Sequence, residues 1–233
     1  MDLRVATYNI RHGRGLDDNV DIGRIAAALA TVQADIICLQ EVDHSLPRSG
    51  FAHQAEHIAA SLNCHFYFHA NFGILSAGMG NAIISRFPLY STWNITLPFL
   101  GEPRGLLHAA TKINQIEFEI FCTHWGLTPG QRKDQSRAAA AKLASAGSYT
   151  LLCGDLNAVR SAVEIDALLG STSLQDAGPV DGHTFPSSCP VVKIDYILAT
   201  PQLTSTGSRI ISSDASDHNL LVTDFETAEI SVQ

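Results

Sequence analysis

Residues 149–157, YTLLCGDLN, contain the pattern that decides the fold: an apolar run of strand length is followed at once by polar residues, Asp155 and Asn157. Such a run predicts a buried β-strand, and strand ends are where a rigid sheet presents side chains to one crevice. Five other segments repeat the arrangement, with the polar residues at Asn9, Glu41, His124, Asp195 and Asp217–His218. We therefore expect six separate segments to assemble one site.

The other apolar runs predict a sheet-rich α/β (α+β) fold. Ten runs of strand length recur along the chain, many of them bounded by Gly, Pro, Asn or Asp. Helical periodicity appears in four stretches: Asp21–Val32, Gln54–Leu62, an Ala-rich stretch from Pro129 to near Gly147, and Ala162–Leu169. Helices that interleave with and flank consecutive strand pairs predict a four-layer α/β/β/α sandwich of two mixed sheets.

Length and composition restrict the classes of protein that fit. A chain of 233 residues with 45% hydrophobic content and no repeat or linker predicts a single domain over residues 1–233, which we expect to be a monomer. The net charge of -8 gives no overall positive surface, so long nucleic acid is not favoured as a partner. No signal-peptide pattern and no apolar stretch of membrane-spanning length is present, which predicts a cytoplasmic protein without a membrane span.

The five cysteines predict reduced, structural side chains. They form an odd set without CxxC spacing, and three of them lie inside apolar runs, where a cysteine usually acts as a small buried hydrophobe.

Each isolated polar residue also has an ordinary structural interpretation. A single Asn9 or Asp195 at a strand end is more often a turn former or a cap than a catalyst. Glu41 fits that interpretation poorly, because an acid directly after the run IICL is costly unless it is paired or bound to metal. The ordered set of polar strand ends, rather than any one of them, indicates a functional site.

The order of motifs resembles a known superfamily. In sequence order they read NIRHG, LQEVD, GNAIISRFP, EPRGLLHA, THWG, GDLNA, TFPSSCPVVKIDYIL and SDHNLLV, and they cover the chain from about residue 4 to residue 226. This series resembles the endonuclease/exonuclease/phosphatase superfamily, which has the DNase-I-like fold. The resemblance implies a four-layer sandwich, a phosphate-ester hydrolase, and one or two divalent cations, Mg²⁺ or Mn²⁺.

The resemblance also implies a role for each polar residue. Metal ligands are expected at Glu41, Asn9 and Asp217. Catalytic residues are expected at Asp155, which activates the attacking water, and at His218, His124, Asn157 and Asp195. Contacts to substrate or phosphate are expected from Arg104, Arg11 and Asn81.

The chemistry of phosphate esters independently requires these residue types. A phosphodiester anion repels nucleophiles, so hydrolysis needs a hard cation, and carboxylate or amide oxygens suit Mg²⁺ or Mn²⁺. An ionised Asp155 can accept a proton from water. Histidine donors can stabilise the charge on the phosphoryl oxygens, and an Asp195–His218 hydrogen bond would orient one of them.

Specificity is harder to infer. At the position of His124, abasic-site endonucleases resemble one another in having a tyrosine. The histidine of this chain therefore argues against an abasic-site repair enzyme. We expect a small phosphate ester, with DNA or RNA as the alternative substrate. Substrate choice should depend on three loop segments at the pocket rim, Leu16–Val20, Asp43–Phe51 and Phe72–Met79.

Two other classes of function remain open. The motif HQAEH, with His53, Glu56 and His57, matches the HxxEH pattern of a family of zinc metallopeptidases, although the chain shows no convincing helical third ligand. A binding protein that keeps the fold but has lost catalysis is the second alternative. The complete set of polar strand ends argues against it.

Overall fold

Two six-stranded sheets stack face to face in the computed structural model, which describes residues 2–74 and 77–227. The first sheet, sheet I, has the strand order β11-β12-β1-β2-β4-β3, and the second, sheet II, has the order β5-β6-β7-β8-β10-β9. Within the described residues the strands of sheet I are β1 Asp2–Asn9, β2 Ile36–His44, β3 His65–Ile74, β4 Ala77–Ser85, β11 Leu203–Ile211 and β12 Leu220–Thr227. Those of sheet II are β5 Leu89–Leu97, β6 Arg104–Ile113, β7 Ile116–His124, β8 Thr150–Asp155, β9 Gln175–Asp176 and β10 Asp195–Ala199.

The run Ile36–Leu39 of the central strand β2 is apolar throughout because both of its faces are buried. In β2, Ile36 and Cys38 point into the core between the two sheets, whereas Ile37 and Leu39 point into the core beneath the helices. Period-2 alternation therefore brings every residue of this run into one hydrophobic layer or another. Sheet II is buried in the same way, with Cys122 and Cys153 facing sheet I.

Helices cover the outer faces of both sheets. The helices α1 and α2 pack on sheet I, and α3 and α4 pack on sheet II. Their bounds are Ile22–Val32, Gln54–Leu62, Pro129–Leu143 and Val163–Ser171, in chain order. The four-layer sandwich of two mixed sheets predicted from the sequence is confirmed, with parallel pairs β1–β2 and β7–β8 beside antiparallel neighbours.

Local signals explain most helix ends. Asp21 caps α1 by accepting hydrogen bonds from two backbone N–H groups, and Thr128 forms a capping box with Gln131 at the start of α3. The end of α3 differs from the prediction: the helix stops at Leu143, before Gly147. The Ala-rich run contains no residue that marks the earlier end, so the sequence pattern extended the helix too far.

Two composition-based expectations can be compared with the structure. All five cysteines are free, as predicted, and three of them are buried. In the described part of the chain, none of the helices combines the length and the hydropathy that crossing a membrane requires.

A close approach between β3 and β4 generates a stability prediction. A Cβ added at Gly80 would lie 1.9 Å from the backbone oxygen of His69, so Gly80→Ala forces these strands apart. We expect it to lower the free energy of unfolding by about 1–3 kcal/mol, measured by urea denaturation. Gly130→Ala in α3 is the control, because a Cβ there meets nothing within 4 Å. Equal stability of the two variants would contradict this account.

Candidate active site

The sheet topology brings the six predicted polar segments to one end of the sandwich, although Glu41 lies at a bulge within β2 and not at the end of that strand. In sheet I, β1 and β2 run parallel, so both end at the same edge, and antiparallel β12 begins there. In sheet II, β7 and β8 run parallel, and β10 runs antiparallel to β8 with Asp195 paired directly to Asp155. Side chains from both sheets therefore meet in one polar cluster.

Asn9 links the two sheets within this cluster. Its Nδ2 donates to Glu41 Oε1 and to Asp155 Oδ2, each at 3.1 Å, while its Oδ1 accepts a hydrogen bond from the backbone N–H of Arg11 at 3.0 Å. Asn9 is almost fully buried. In this structure it fixes two carboxylates relative to each other, and its amide oxygen is already engaged.

A β-bulge in β2 determines the direction of the Glu41 side chain. The register of β2 against β4 shifts between Leu39 and Val42, and Glu41 within that bulge has a φ of 54°. Bulges re-aim side chains and are enriched beside active sites. Arg11, His12 and Asn157 also have positive φ values, between 45° and 48°. The site thus concentrates left-handed backbone at residues other than glycine.

The Glu41 carboxylate is held ionised. Burial alone would raise its pKa, but hydrogen bonds from the His12 ring and the Asn9 amide, together with the positive charge of His218, outweigh burial and hold the pKa below its ordinary value. Among residues 2–74 and 77–227, no lysine or arginine forms an ion pair with it; the ring of His12 is 3.9 Å away. An ionised, three-quarters-buried carboxylate without a cationic partner is a donor that fits a hard divalent cation.

His218 is held as a cation. Its Nδ1 lies 3.0 Å from Asp195 Oδ2, and its ring packs against Phe185 with centroids 4.8 Å apart. Burial alone would lower the pKa of His218, but the charge and hydrogen bond of Asp195, with smaller effects from Asp155 and Asp217, raise it to about 10. The predicted Asp195–His218 pair is therefore present in the structure.

Asp155 is almost fully enclosed within the cluster. Its Oδ1 accepts from the backbone N–H of Asn157 at 2.9 Å, and its Oδ2 lies 3.3 Å from His124 Nε2 and 3.7 Å from His218 Nε2. Burial, and then the negative charge of Asp195, raise the pKa of Asp155 above its ordinary value. A carboxylate with a raised pKa accepts protons more readily at neutral pH.

His124 is in the opposite charge state to His218. The ring is buried between Arg104 Nη1, 3.1 Å from Nδ1, and Asn157 Nδ2, 3.1 Å from Nε2. Burial, and then the charge of Arg104, lower the pKa of His124 to about 3. The imidazole is therefore neutral over the physiological pH range.

The remaining predicted residues lie at the border of the cluster. Arg11 Nε is 3.3 Å from Asp217 Oδ2, so each partly neutralises the other. Asn81 is buried in β4, where its Nδ2 donates to the backbone oxygen of Gly105 at 3.3 Å. A small cavity of about 10 Å³ adjoins Asn81, Glu41 and His124.

The structure groups possible metal ligands differently from the sequence prediction. Among the His, Cys, Asp and Glu side chains that the structure describes, one set of three converges within 4.8 Å: Asp155, Asp195 and His218. Glu41 and Asp217 belong to no such set. Since Asp195 already holds His218 by hydrogen bonds, Glu41 remains the carboxylate of the cluster without a cationic side chain.

Two neighbours of the site were not assigned a role from the sequence. His12 lies mostly buried beside Glu41, and Glu102 Oε1 is 2.7 Å from Arg104 Nη1. Their signals are present but weak: His12 is part of NIRHG, and Glu102 stands two residues before Arg104 in EPRG. Only the folded chain shows which side chains they contact.

Residues of the predicted rim segments contact neighbours of the cluster, and Met79 borders the small cavity beside Glu41. The backbone N–H of Leu16 donates to Asp214, three residues before Asp217, and Arg48 contacts both Asp43 and Met79. Leu75 and Ser76, within the third predicted segment, lie outside the described residues. A cleft of about 650 Å³, bordered by Val159, Val180 and Lys193, includes none of the predicted site residues.

The HQAEH segment does not form a ligand cluster. His53 and His57 are exposed, and the His53 ring stacks on His44 with centroids 4.0 Å apart while its Nδ1 lies 3.2 Å from Glu56. No third ligand joins them within the described chain. These contacts are those of a solvated helix start.

Comparison with known proteins agrees with this geometry. The uncharacterized protein YbhP of Escherichia coli (strain K12) is 26% identical over 214 residues, which cover 84% of each chain. An endonuclease/exonuclease/phosphatase structure from Beutenbergia cavernae DSM 12333 superposes with a TM-score of 0.81 at 22% identity, covering 100% of this chain and 73% of that one. A mannosyl-6-phosphatase from Bacteroides thetaiotaomicron VPI-5482 superposes with a TM-score of 0.80 at 19% identity, covering 96% and 99%.

The structural likenesses establish the fold, and the sequence comparison extends to the family. The model of the Endonuclease/Exonuclease/phosphatase family matches residues 6–218, a span that includes all six polar strand ends. Because this match spans most of the sequence, the chain belongs to the endonuclease/exonuclease/phosphatase family.

Proposed function

We propose that this chain is a divalent-metal-dependent phosphodiesterase that hydrolyses a small phosphate ester. The observation that carries the proposal is the environment of Asp155 Oδ2, on which Asn9, His124 and His218 converge at 3.1, 3.3 and 3.7 Å. A buried carboxylate with a raised pKa, placed between a cationic and a neutral histidine, suits proton transfer during the attack of water on phosphorus.

In the proposed reaction, Asp155 accepts the proton of the attacking water as the water oxygen bonds to phosphorus. The bond from phosphorus to the leaving oxygen breaks, and solvent protonates the departing anion. The imidazolium of His218 donates a hydrogen bond to a phosphoryl oxygen, and Asp195 keeps it oriented. Asn157 holds Asp155 through its backbone N–H.

Glu41 is the residue that we propose for metal binding, with Asp217 and Asn9 as neighbours. Asn9 Oδ1 accepts one hydrogen bond, from the backbone N–H of Arg11, and its second lone pair could ligate the cation. Bound Mg²⁺ or Mn²⁺ would neutralise charge on the phosphoryl oxygens. The ionised Glu41 carboxylate, free of lysine and arginine partners in the described part of the chain, supports this assignment.

Charge and likeness support a small substrate. The net charge of -8 disfavours binding of long polyanions, and the mannosyl-6-phosphatase of the same fold is named for a small sugar phosphate. A nuclease activity on DNA or RNA is the alternative that a substrate screen would distinguish.

The first prediction concerns Asp155. Asp155→Asn keeps the size of the side chain but removes the proton acceptor, so kcat for bis-p-nitrophenyl phosphate with Mg²⁺ or Mn²⁺ should fall by about 10²- to 10⁴-fold. Asp166→Asn, which removes an exposed acid on α4, is the matched control and should retain activity. Full activity in Asp155→Asn would exclude the proposed role.

The second prediction concerns Glu41 and metal. In the wild-type protein, Mg²⁺ or Mn²⁺ should raise the melting temperature, because a ligand that binds only the folded state stabilises it. Glu41→Gln should abolish this shift and raise the metal concentration for half-maximal hydrolysis by about tenfold or more. Glu56→Gln, at an exposed acid of α2, serves as the control. An unchanged shift in Glu41→Gln would place the metal elsewhere.

The third prediction separates the proposal from a zinc peptidase. Because His53 and His57 are exposed and have no third ligand in the described chain, His53→Ala and His57→Ala should keep hydrolysis of the phosphodiester within about twofold of wild type. Metal analysis should find no zinc that depends on these histidines. If both variants lost activity while Glu41→Ala kept it, the HQAEH motif would be the functional one.

A further inference from the structure

In the described part of the chain, the hydrogen bonds of the Arg104 side chain reach the reaction cluster through His124, and Arg104 also borders the small cavity beside Glu41. Its Nη1 donates one hydrogen bond to Glu102 Oε1 at 2.7 Å and lies 3.1 Å from His124 Nδ1. The guanidinium is buried, and the part of the chain that the structure describes offers no hydrogen-bond partner to its Nε. Arg104 is therefore held between a carboxylate and an imidazole.

This contact decides which nitrogen of His124 carries the proton. A guanidinium has only N–H donors and stays protonated in proteins, so His124 Nδ1 must offer a lone pair to Arg104. A neutral imidazole has one N–H group, which must then be at Nε2. Nε2 lies 3.3 Å from Asp155 Oδ2, so this N–H stands beside the catalytic carboxylate.

The neighbouring Asn157 amide competes with Arg104 for the single acceptor nitrogen of the His124 ring. Its Nδ2 lies 3.1 Å from His124 Nε2, but it also donates to the backbone oxygen of Trp125 at 3.0 Å. Two donors cannot both be accepted by one neutral ring. Arg104 cannot turn away because Glu102 holds it, whereas Asn157 has the Trp125 oxygen as its acceptor, so the Arg104 contact sets the tautomer.

We infer that Arg104, held by Glu102, is a positioning residue that locks His124 as the neutral Nε2–H tautomer and directs that N–H to the reaction centre. It acts through His124. The resemblance implied instead that Arg104 contacts the substrate phosphate directly. The tautomer itself does not depend on the proposed function. Only the kinetic consequences described below rest on phosphodiester hydrolysis.

The tautomer can be read directly by NMR of protein labelled with ¹⁵N-histidine, with His124 assigned from the resonances missing in His124→Asn. From about pH 6 to 8, wild-type His124 should show an unprotonated Nδ1 and a protonated Nε2. In Arg104→Met this pattern should be replaced by exchange between tautomers or by protonation. The same fixed tautomer in Arg104→Met would overturn the inference, whether or not the protein hydrolyses any phosphoester.

Kinetics distinguish positioning from phosphate binding. If Arg104 acts through His124, Arg104→Met should lower kcat for bis-p-nitrophenyl phosphate by about tenfold or more with KM changed less than about threefold. It should also add no further loss in a His124→Asn background. A large rise in KM, or losses that multiply in the double variant, would identify a phosphate ligand instead.

Glu102→Gln keeps the test decisive if Arg104→Met fails to fold, because Glu102 is half-exposed at the surface. Freeing the guanidinium should lower kcat and broaden the His124 resonances while KM stays unchanged. A phosphate-binding arginine would behave in the opposite way, since removal of its counter-charge would lower KM. A lowered KM with an unchanged His124 tautomer would overturn the inference.

Discussion

The central strands of both sheets are buried on both faces, and this constraint determines where polar chemistry can lie. A charged side chain in the run Ile36–Leu39 of β2 or in the middle of β8 would lose its hydration without gaining a partner. The ends of these apolar runs combine a rigid backbone with access to other polar groups. Parallel neighbours end at the same edge, so the constraint gathers the polar ends at one end of the sandwich. Asn9 then joins the carboxylates of the two sheets there.

The cluster uses two histidines in different ways, although both are buried. His218 has a carboxylate behind it and is a cation, whereas His124 has a guanidinium behind it and is neutral. The charged group that contacts Nδ1 of each histidine thus determines whether that ring is a cation or neutral. His218, as a cation, can stabilise negative charge. His124, as a neutral ring, can orient a neighbouring carboxylate without adding a second positive charge beside Glu41.

The sequence predicted those features that depend on local pattern. Strand runs, helix caps and the polar residues after buried strands all have short-range signals, and the order of motifs identified the superfamily. The end of α3 was misplaced because alanines before Gly147 continue the pattern of a helix that has already ended. His12 and Glu102 were missed because their partners are set by tertiary contacts between loops. Spacing along the chain contains no record of such contacts.

The left-handed backbone at Glu41 has an evolutionary consequence. A non-glycine residue in that conformation costs about 1 kcal/mol, and the same holds at Arg11, His12 and Asn157. Replacement of any of them by glycine would relieve that cost while removing a polar side chain from the cluster. Stability alone would therefore favour loss of the site in a descendant of this chain. Persistence of these residues in such a lineage would record selection for the reaction against the thermodynamics of the fold.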